Sequence, residues 1–308
     1  MSDTVCIFAG QGAQVPGMGK DLSADPEISA LFTRANEVLG FDLASVCFDG
    51  PAEALTKSNV CQPAIFTVSV AAFRAFQKRS PNVAFKMAAG LSLGEWTALH
   101  VAGVLDFDST LKVLESRGRF MQQACEEQES GMISIMGATP EQLQTICDKA
   151  GITVANINSD AQVVLSGLKT GIATAAQTAG ELGVKAIVLN VAGAFHSPLM
   201  ASARAKLAGV IEGVPFQSPK MPVLSNVTGR LHDSDPAAIK DAMLRQVTDS
   251  VRWCDCVRCA IDAGAKSFVE FGPGKVLSGL IRRIDKTVGT FNVQDAASLE
   301  QTAVAVQA

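Results

Sequence analysis

Short apolar runs alternate in this chain with longer segments of helical spacing, and that alternation constrains its fold more than any other feature. VCIFAG, FKMAAG and KSFVEFG are short and rich in Val, Ile and Phe, whereas PAIFTVSVAAFRAFQKR and EWTALHVAGVL are longer and rich in Ala and Leu. Parallel strands produce this rhythm, because each needs a crossover helix to carry the chain back to the same end of the sheet. The expected class is therefore α/β with a mainly parallel sheet.

Around Gly131 the pattern changes. GMISIMGA reads as a strand, a helix starts at TPEQL, ITVANIN and QVVLSG are strands, a helix lies within residues 170–183, and VKAIVLNV closes the series. The order β-α-β-β-α-β is that of a split ferredoxin-like unit. The sequence thus predicts a small ferredoxin-like subdomain over residues 127–195, inserted in a large subdomain made of 1–126 and 196–308. MPVLSNVTG is expected to add a strand to the large part, with DAMLRQV and the segment around RWCDCVRCAIDAG as helices. No chemistry is assigned to the tail after Asn292.

Composition excludes several classes. With 308 residues, 48% hydrophobic and 18% charged, the chain buries a sizeable core and is not a disordered or fibrous protein. A net charge of -4 without a run of Lys and Arg argues against nucleic acid as a partner. No apolar segment reaches the roughly 20 residues that span a bilayer, so no membrane association is expected. The start, MSDTVCIFAGQGAQ, lacks the pattern of a secretory signal, and eight scattered cysteines suit a reducing compartment; both point to the cytoplasm, or to an organelle interior after loss of a targeting segment. The cluster CDCVRC has no histidine and lacks paired C-x-x-C spacing, so no metal is expected.

Residues 90–94, GLSLG, lie between the strand-like FKMAA and the amphipathic-looking helix EWTALHVAGVL. G-x-S-x-G in a strand-turn-helix setting is a nucleophile elbow, as in α/β-hydrolase-like domains, which makes Ser92 a candidate nucleophile. Read without that setting, the motif is a flexible turn with an N-cap serine. A serine hydroxyl needs a base, and there are only three histidines. His100, on the helix after Ser92, reads as a packing or surface residue; His232, in the polar GRLHDSD, reads as solvated. His196, in GAFHSP, occupies a loop bounded by glycine and proline and is the candidate base, the alternative being a histidine satisfied within its own loop. No Asp or Glu stands out as its orienter.

Seven motifs occur in order: GQGAQ at 10–14, QPAIF at 62–66, GLSLGE at 90–95, RGRFMQ at 117–122, ANINS at 155–159, AFHS at 194–197 and FGPGKVLSGL at 271–280. Together they resemble the malonyl-CoA:acyl carrier protein transacylases of type II fatty-acid synthesis over nearly the whole chain. The resemblance implies a ping-pong enzyme without a cofactor, expected as a monomer, that takes malonyl-CoA and an acyl carrier protein as partners. It implies Ser92 as the acylated nucleophile and His196 as its base. The backbone N–H groups of Gln11 and Leu93 would form the oxyanion hole, and the carbonyl of Gln246 would orient the imidazole. Arg117, by itself an exposed helix arginine, becomes the receptor for the malonyl carboxylate. Met121 and Phe195 would line the acyl pocket, Phe195 being the version associated with malonyl over methylmalonyl. Asn156, Asn158 and Gln162 would face pantetheine or CoA. Two positions depart from the family pattern, Leu91 for a frequent histidine and Ala9 for a frequent proline, and neither removes a catalytic atom.

Other readings remain at this level: a serine hydrolase, a transferase of a polyketide pathway, or a dinucleotide-binding module starting at Gly10 and Gly12. The last is opposed by Val15 and Pro16 where a third glycine is required. Arg282, Arg283 and Lys286 are candidates for docking an acidic carrier.

Overall fold

In the computed structural model, residues 3–307 are described, and they form two sheets. The chain runs β1 (Thr4–Phe8), α1 (Pro26–Leu39), α2 (Leu43–Asp49), α3 (Ser58–Arg79), β2 (Met87–Gly90), α4 (Leu93–Val101) and α5 (Phe107–Glu127). It continues with β3 (Ser130–Met136), α6 (Pro140–Ala150), β4 (Thr153–Ser159), β5 (Gln162–Leu168), α7 (Lys169–Glu181) and β6 (Lys185–Val188). The remainder is α8 (Ala201–Glu212), α9 (Pro236–Arg245), α10 (Trp253–Asp262), β7 (Ser267–Phe271), α11 (Val276–Ile284), β8 (Gly289–Val293) and α12 (Ala296–Gln307).

The larger sheet has the order β2-β1-β7-β8 and is parallel throughout. Every residue of β1 is buried, because helices cover both faces of a parallel sheet. Register pairs Phe8 with Gly90, so the chain leaves β1 and β2 side by side at the carboxyl edge of the sheet. Ligands bind at this edge in open α/β sheets. Helix α3 is buried on nearly all sides, consistent with its largely apolar sequence PAIFTVSVAAF, in which only Thr67 and Ser69 are polar.

The second sheet is antiparallel, ordered β4-β5-β3-β6, and α6 and α7 bury Ile146 and Ile172 against Ile133, Ile135 and Leu165. Helix α6 begins at a capping box in which Thr139 and Gln142 exchange hydrogen bonds. Two backbone bonds join this sheet to the larger part, from Val251 N–H to the Ala155 carbonyl and from Ile157 N–H to that of Val251.

Three expectations change, at MPVLSN, at α4 and at His232. MPVLSN is an extended stretch that touches the sheet only through a bridge between Ala88 and Val223, since Pro222 has no N–H to give and the chain then turns toward Ser92. The tail after Asn292 completes β8 and forms α12. Helix α4 is not amphipathic: Leu93 to Leu99 are all buried. Finally, the imidazole of His232 is not solvated; its side chain is 2% exposed and bonds to Glu95. The remaining histidine, His100, packs against Phe66 and Phe107 as expected. Among the described residues no helix is long and apolar enough to cross a membrane, and no three His, Cys, Asp or Glu side chains gather as a metal site.

Candidate active site

Glycine is required on both sides of Ser92 for steric reasons. A Cβ on Gly90 would lie 2.0 Å from the carbonyl carbon of Gly94, and one on Gly94 would lie 2.1 Å from the Phe8 carbonyl oxygen. With both absent, the turn closes tightly and Ser92 takes φ 55° and ψ -103°, a strained conformation for a non-glycine residue. Asn226 holds the turn, accepting from Ser92 N–H at 2.7 Å and donating to the Gly90 carbonyl at 2.8 Å.

Ser92 Oγ lies 2.8 Å from His196 Nε2. The other ring nitrogen, Nδ1, is 2.7 Å from the main-chain carbonyl of Gln246. A carbonyl only accepts, so Nδ1 carries the hydrogen and Nε2 presents its lone pair to the serine. His196 is buried, with 5% exposure, and has φ 55°. Burial first, and the neighbouring Arg117 charge second, push it down to about 4, against the smaller opposing effect of the Gln246 carbonyl. The imidazole is therefore neutral at pH 7 and available as a base.

Arg117 departs from its isolated reading as an exposed helix residue, because its side chain is buried, with 1% exposure. Its neighbour explains why: a Cβ on Gly118 would meet the Ser58 carbonyl oxygen at 2.2 Å, so glycine lets α5 press against the start of α3. The guanidinium donates from Nη1 to Gln62 Oε1 at 2.7 Å and from Nη2 to Ser92 Oγ and Gln246 Oε1, each at 3.0 Å. Its Nε has no partner among the described residues. Burial lowers Arg117 to about 10, with Glu95 acting in the opposite direction, so it is still a cation at neutral pH.

A cleft of about 670 Å³ opens above these atoms. Gln11, Ser92, Arg117, Met121, Asn156, Asn158, Gln162, Phe195 and His196 all line it. Two expected site residues lie behind the wall: Gln246, fully buried, and Leu93, the first residue of α4, whose N–H has no intrahelical acceptor. The Gln11 side chain bonds to Ser58 and Gln62 and fixes the loop after β1 beside the elbow. Of the basic candidates near α11, Arg283 donates to Gln162 Oε1 at 3.3 Å, and Arg282 bonds to Thr290.

The residues that sequence reasoning did not assign are polar and buried: Gln62, Glu95, Asn226 and His232. Gln62 and Glu95 stand inside the motifs QPAIF and GLSLGE, and that was their signal. Nothing local marks Asn226 or His232, which reach the elbow only through the folded path of residues 221–232.

The chain matches the family model described as acyl transferase domain over residues 5–302. It is 37% identical over 307 residues to a malonyl CoA-acyl carrier protein transacylase of Bacillus subtilis, covering 97% of this chain and 96% of that protein. The solved malonyl CoA-acyl carrier protein transacylase of Clostridium perfringens superposes with a TM-score of 0.94 at 35% identity, covering 99% of this chain and 98% of that one. A malonyl-transacylase solved in complex with a type II PKS acyl-carrier protein is 37% identical, with a TM-score of 0.94 and coverage of 99% and 100%. The chain belongs to the acyl transferase family, among the malonyl CoA-acyl carrier protein transacylases.

Proposed function

We propose that this chain moves a malonyl group from malonyl-CoA to the phosphopantetheine thiol of an acyl carrier protein through an ester on Ser92. One observation carries the reading: Ser92 Oγ has a neutral imidazole at 2.8 Å and a guanidinium at 3.0 Å. A nucleophile, its base and a receptor for a carboxylate thus share one hydrogen-bonded cluster.

His196 Nε2 takes the Ser92 proton as Oγ attacks the thioester carbonyl, forming the C–O bond. The tetrahedral oxyanion is held by the N–H groups of Leu93 and Gln11. Collapse breaks the C–S bond, and the imidazolium returns its proton to the CoA sulfur. The carrier thiol then repeats these steps in reverse, regenerating Ser92. The reaction balances without a metal, a nucleotide or a redox group. Arg117 offers the malonyl carboxylate its Nε–Nη2 edge, Nε being otherwise unpaired and Nη2 giving up its bond to Ser92 Oγ, and a planar guanidinium matches a carboxylate in two parallel bonds. Phe195 and Met121 limit the width of the acyl pocket, and Asn156, Asn158 and Gln162 face the pantetheine arm.

Every one of these groups lies within one chain, so the reaction needs no residue from a second subunit, and 127–195 forms one wall of the cleft. A carrier from a polyketide pathway is the second reading, favoured by the relative solved with a type II PKS carrier. Intact-mass spectrometry after exposure to malonyl-CoA, methylmalonyl-CoA and acetyl-CoA in competition tests the reading. A malonyl adduct on Ser92 that carrier protein discharges is expected; rapid release of free malonate would assign a hydrolase, and transfer by Ser92→Ala would refute the ester.

A further inference from the structure

Beneath the cleft lies a carboxylate that the proposed reaction does not consume. Glu95 is fully buried one helical turn after Ser92. Its Oε2 accepts from Gln246 Nε2 at 2.5 Å, and its Oε1 accepts from Asn226 N–H at 3.2 Å and pairs with His232 Nε2 at 2.6 Å. Gln246 in turn reaches every working group: its Nε2 also donates to the Ser92 carbonyl at 2.9 Å, its Oε1 takes Arg117, and its main-chain carbonyl takes His196.

We propose that Glu95 and His232 are positioning residues for acyl transfer, the carboxylate, steadied by the imidazole, locking Gln246 in the one amide orientation that serves Arg117 and the Ser92 carbonyl together. This rests on the transfer reading above. The two neighbours of the amide are one-sided: a guanidinium has no acceptor and a carboxylate has no donor. A flipped Gln246 would set its NH₂ against Arg117 and its oxygen against Glu95, two repulsive contacts among buried side chains, where such contacts are strongest. An amide at position 95 removes this restriction, since it presents either a donor or an acceptor. Arg117 then loses the acceptor that aims its Nη2, and carboxylate recognition suffers more than the attack itself. His232 acts one step further out, by holding, with Asn226 N–H, the other oxygen of the carboxylate.

The test compares acylation of Ser92 by malonyl-CoA and by acetyl-CoA in the wild type, Glu95→Gln and His232→Leu, following both adducts by quenched-flow mass spectrometry. Of the two acyl groups only malonyl offers Arg117 a carboxylate, so misaiming the guanidinium lowers the preference for malonyl over acetyl. Glu95→Gln is expected to lower malonyl kcat/KM by about ten- to a hundredfold, the range for misplaced supporting groups, with a smaller loss for acetyl. His232→Leu should shift the preference the same way by less. An unchanged malonyl-to-acetyl ratio in either folded variant overturns the proposal, whatever rate is lost, because a merely structural role removes active enzyme without altering preference. Should Glu95→Gln not fold, His232→Leu decides alone. A wild type that is not acylated at Ser92 refutes the transfer reading and this inference with it, whereas an acylated wild type with unchanged ratios in the variants refutes only the inference.

Discussion

His196 Nδ1 lies 2.7 Å from the main-chain carbonyl oxygen of Gln246, so a backbone acceptor and not a carboxylate orients this imidazole. A carbonyl fixes tautomer and direction as an acid would, but it brings no full negative charge to stabilise the imidazolium. Burial, and after it the charge of Arg117, hold the ring in its neutral form.

That placement sets the pH dependence. The base is active when unprotonated, so kcat/KM for malonyl-CoA should rise with pH through about 4 and be flat across the ordinary histidine value of 6.5. The stability consequence has a definite sign. Between 6.5 and about 4 the unfolded chain binds the proton that the folded site refuses, so the stabilising contribution is complete above 6.5 and lost as the pH falls through this window. A pH–rate profile with an acid limb near 6.5 would contradict the buried geometry.

Removing the base should leave binding largely intact. His196→Ala is expected to lower the rate of Ser92 acylation by up to about 10⁶-fold, the scale seen when the base of such a unit is lost. Single-turnover kinetics measures this, and a loss confined to KM would assign His196 to substrate binding.

Arg117 should behave as a carboxylate receptor. Arg117→Ala is expected to reduce malonyl kcat/KM by about a hundredfold, in line with a charge-assisted pair of about 1.5–3 kcal/mol, while acetyl transfer changes little. Arg117→Lys should not restore malonyl preference, because an ammonium cannot make the two parallel bonds. Competition between the two thioesters reads each of these outcomes.

Gly118 has a packing role that reaches the site. Gly118→Ala places a methyl 2.2 Å from the Ser58 carbonyl oxygen, so α5 must move away from α3 or the chain must unfold. A loss of at least about 3 kcal/mol in denaturant titration is expected, at the upper end for overpacked positions. A folded variant of ordinary stability would show that α5 shifts easily.

Charge reversal at Arg282, Arg283 and Lys286 should weaken use of an acidic carrier protein, more strongly at low salt, while acylation of Ser92 by malonyl-CoA persists. Parallel loss of both half-reactions would assign these residues to the cleft itself, which Arg283 borders through Gln162.

The sequence alone determined the elements whose reasons are local. Periodicity separated a parallel from an antiparallel sheet, because buried strands and crossover helices write different patterns from β-α-β-β-α-β. G-x-S-x-G marked the elbow through steric demands that arise within five residues, and the small number of histidines led to His196. Tertiary structure decided everything that depends on which groups meet across long separations. Arg117 is buried because Gly118 fits against the start of α3, 59 to 60 positions away in the chain by the residue numbers themselves. His232, polar by neighbourhood, becomes a core residue because the path from Val223 to Leu231 folds it onto Glu95, and Gln246 orients His196 through a backbone atom that every residue type possesses. Hydrogen bonds to main-chain atoms leave no residue-specific signature, and buried polar clusters draw their members from distant segments. These are the physical reasons why the nucleophile could be read from its own motif, while its support became visible only in the folded chain.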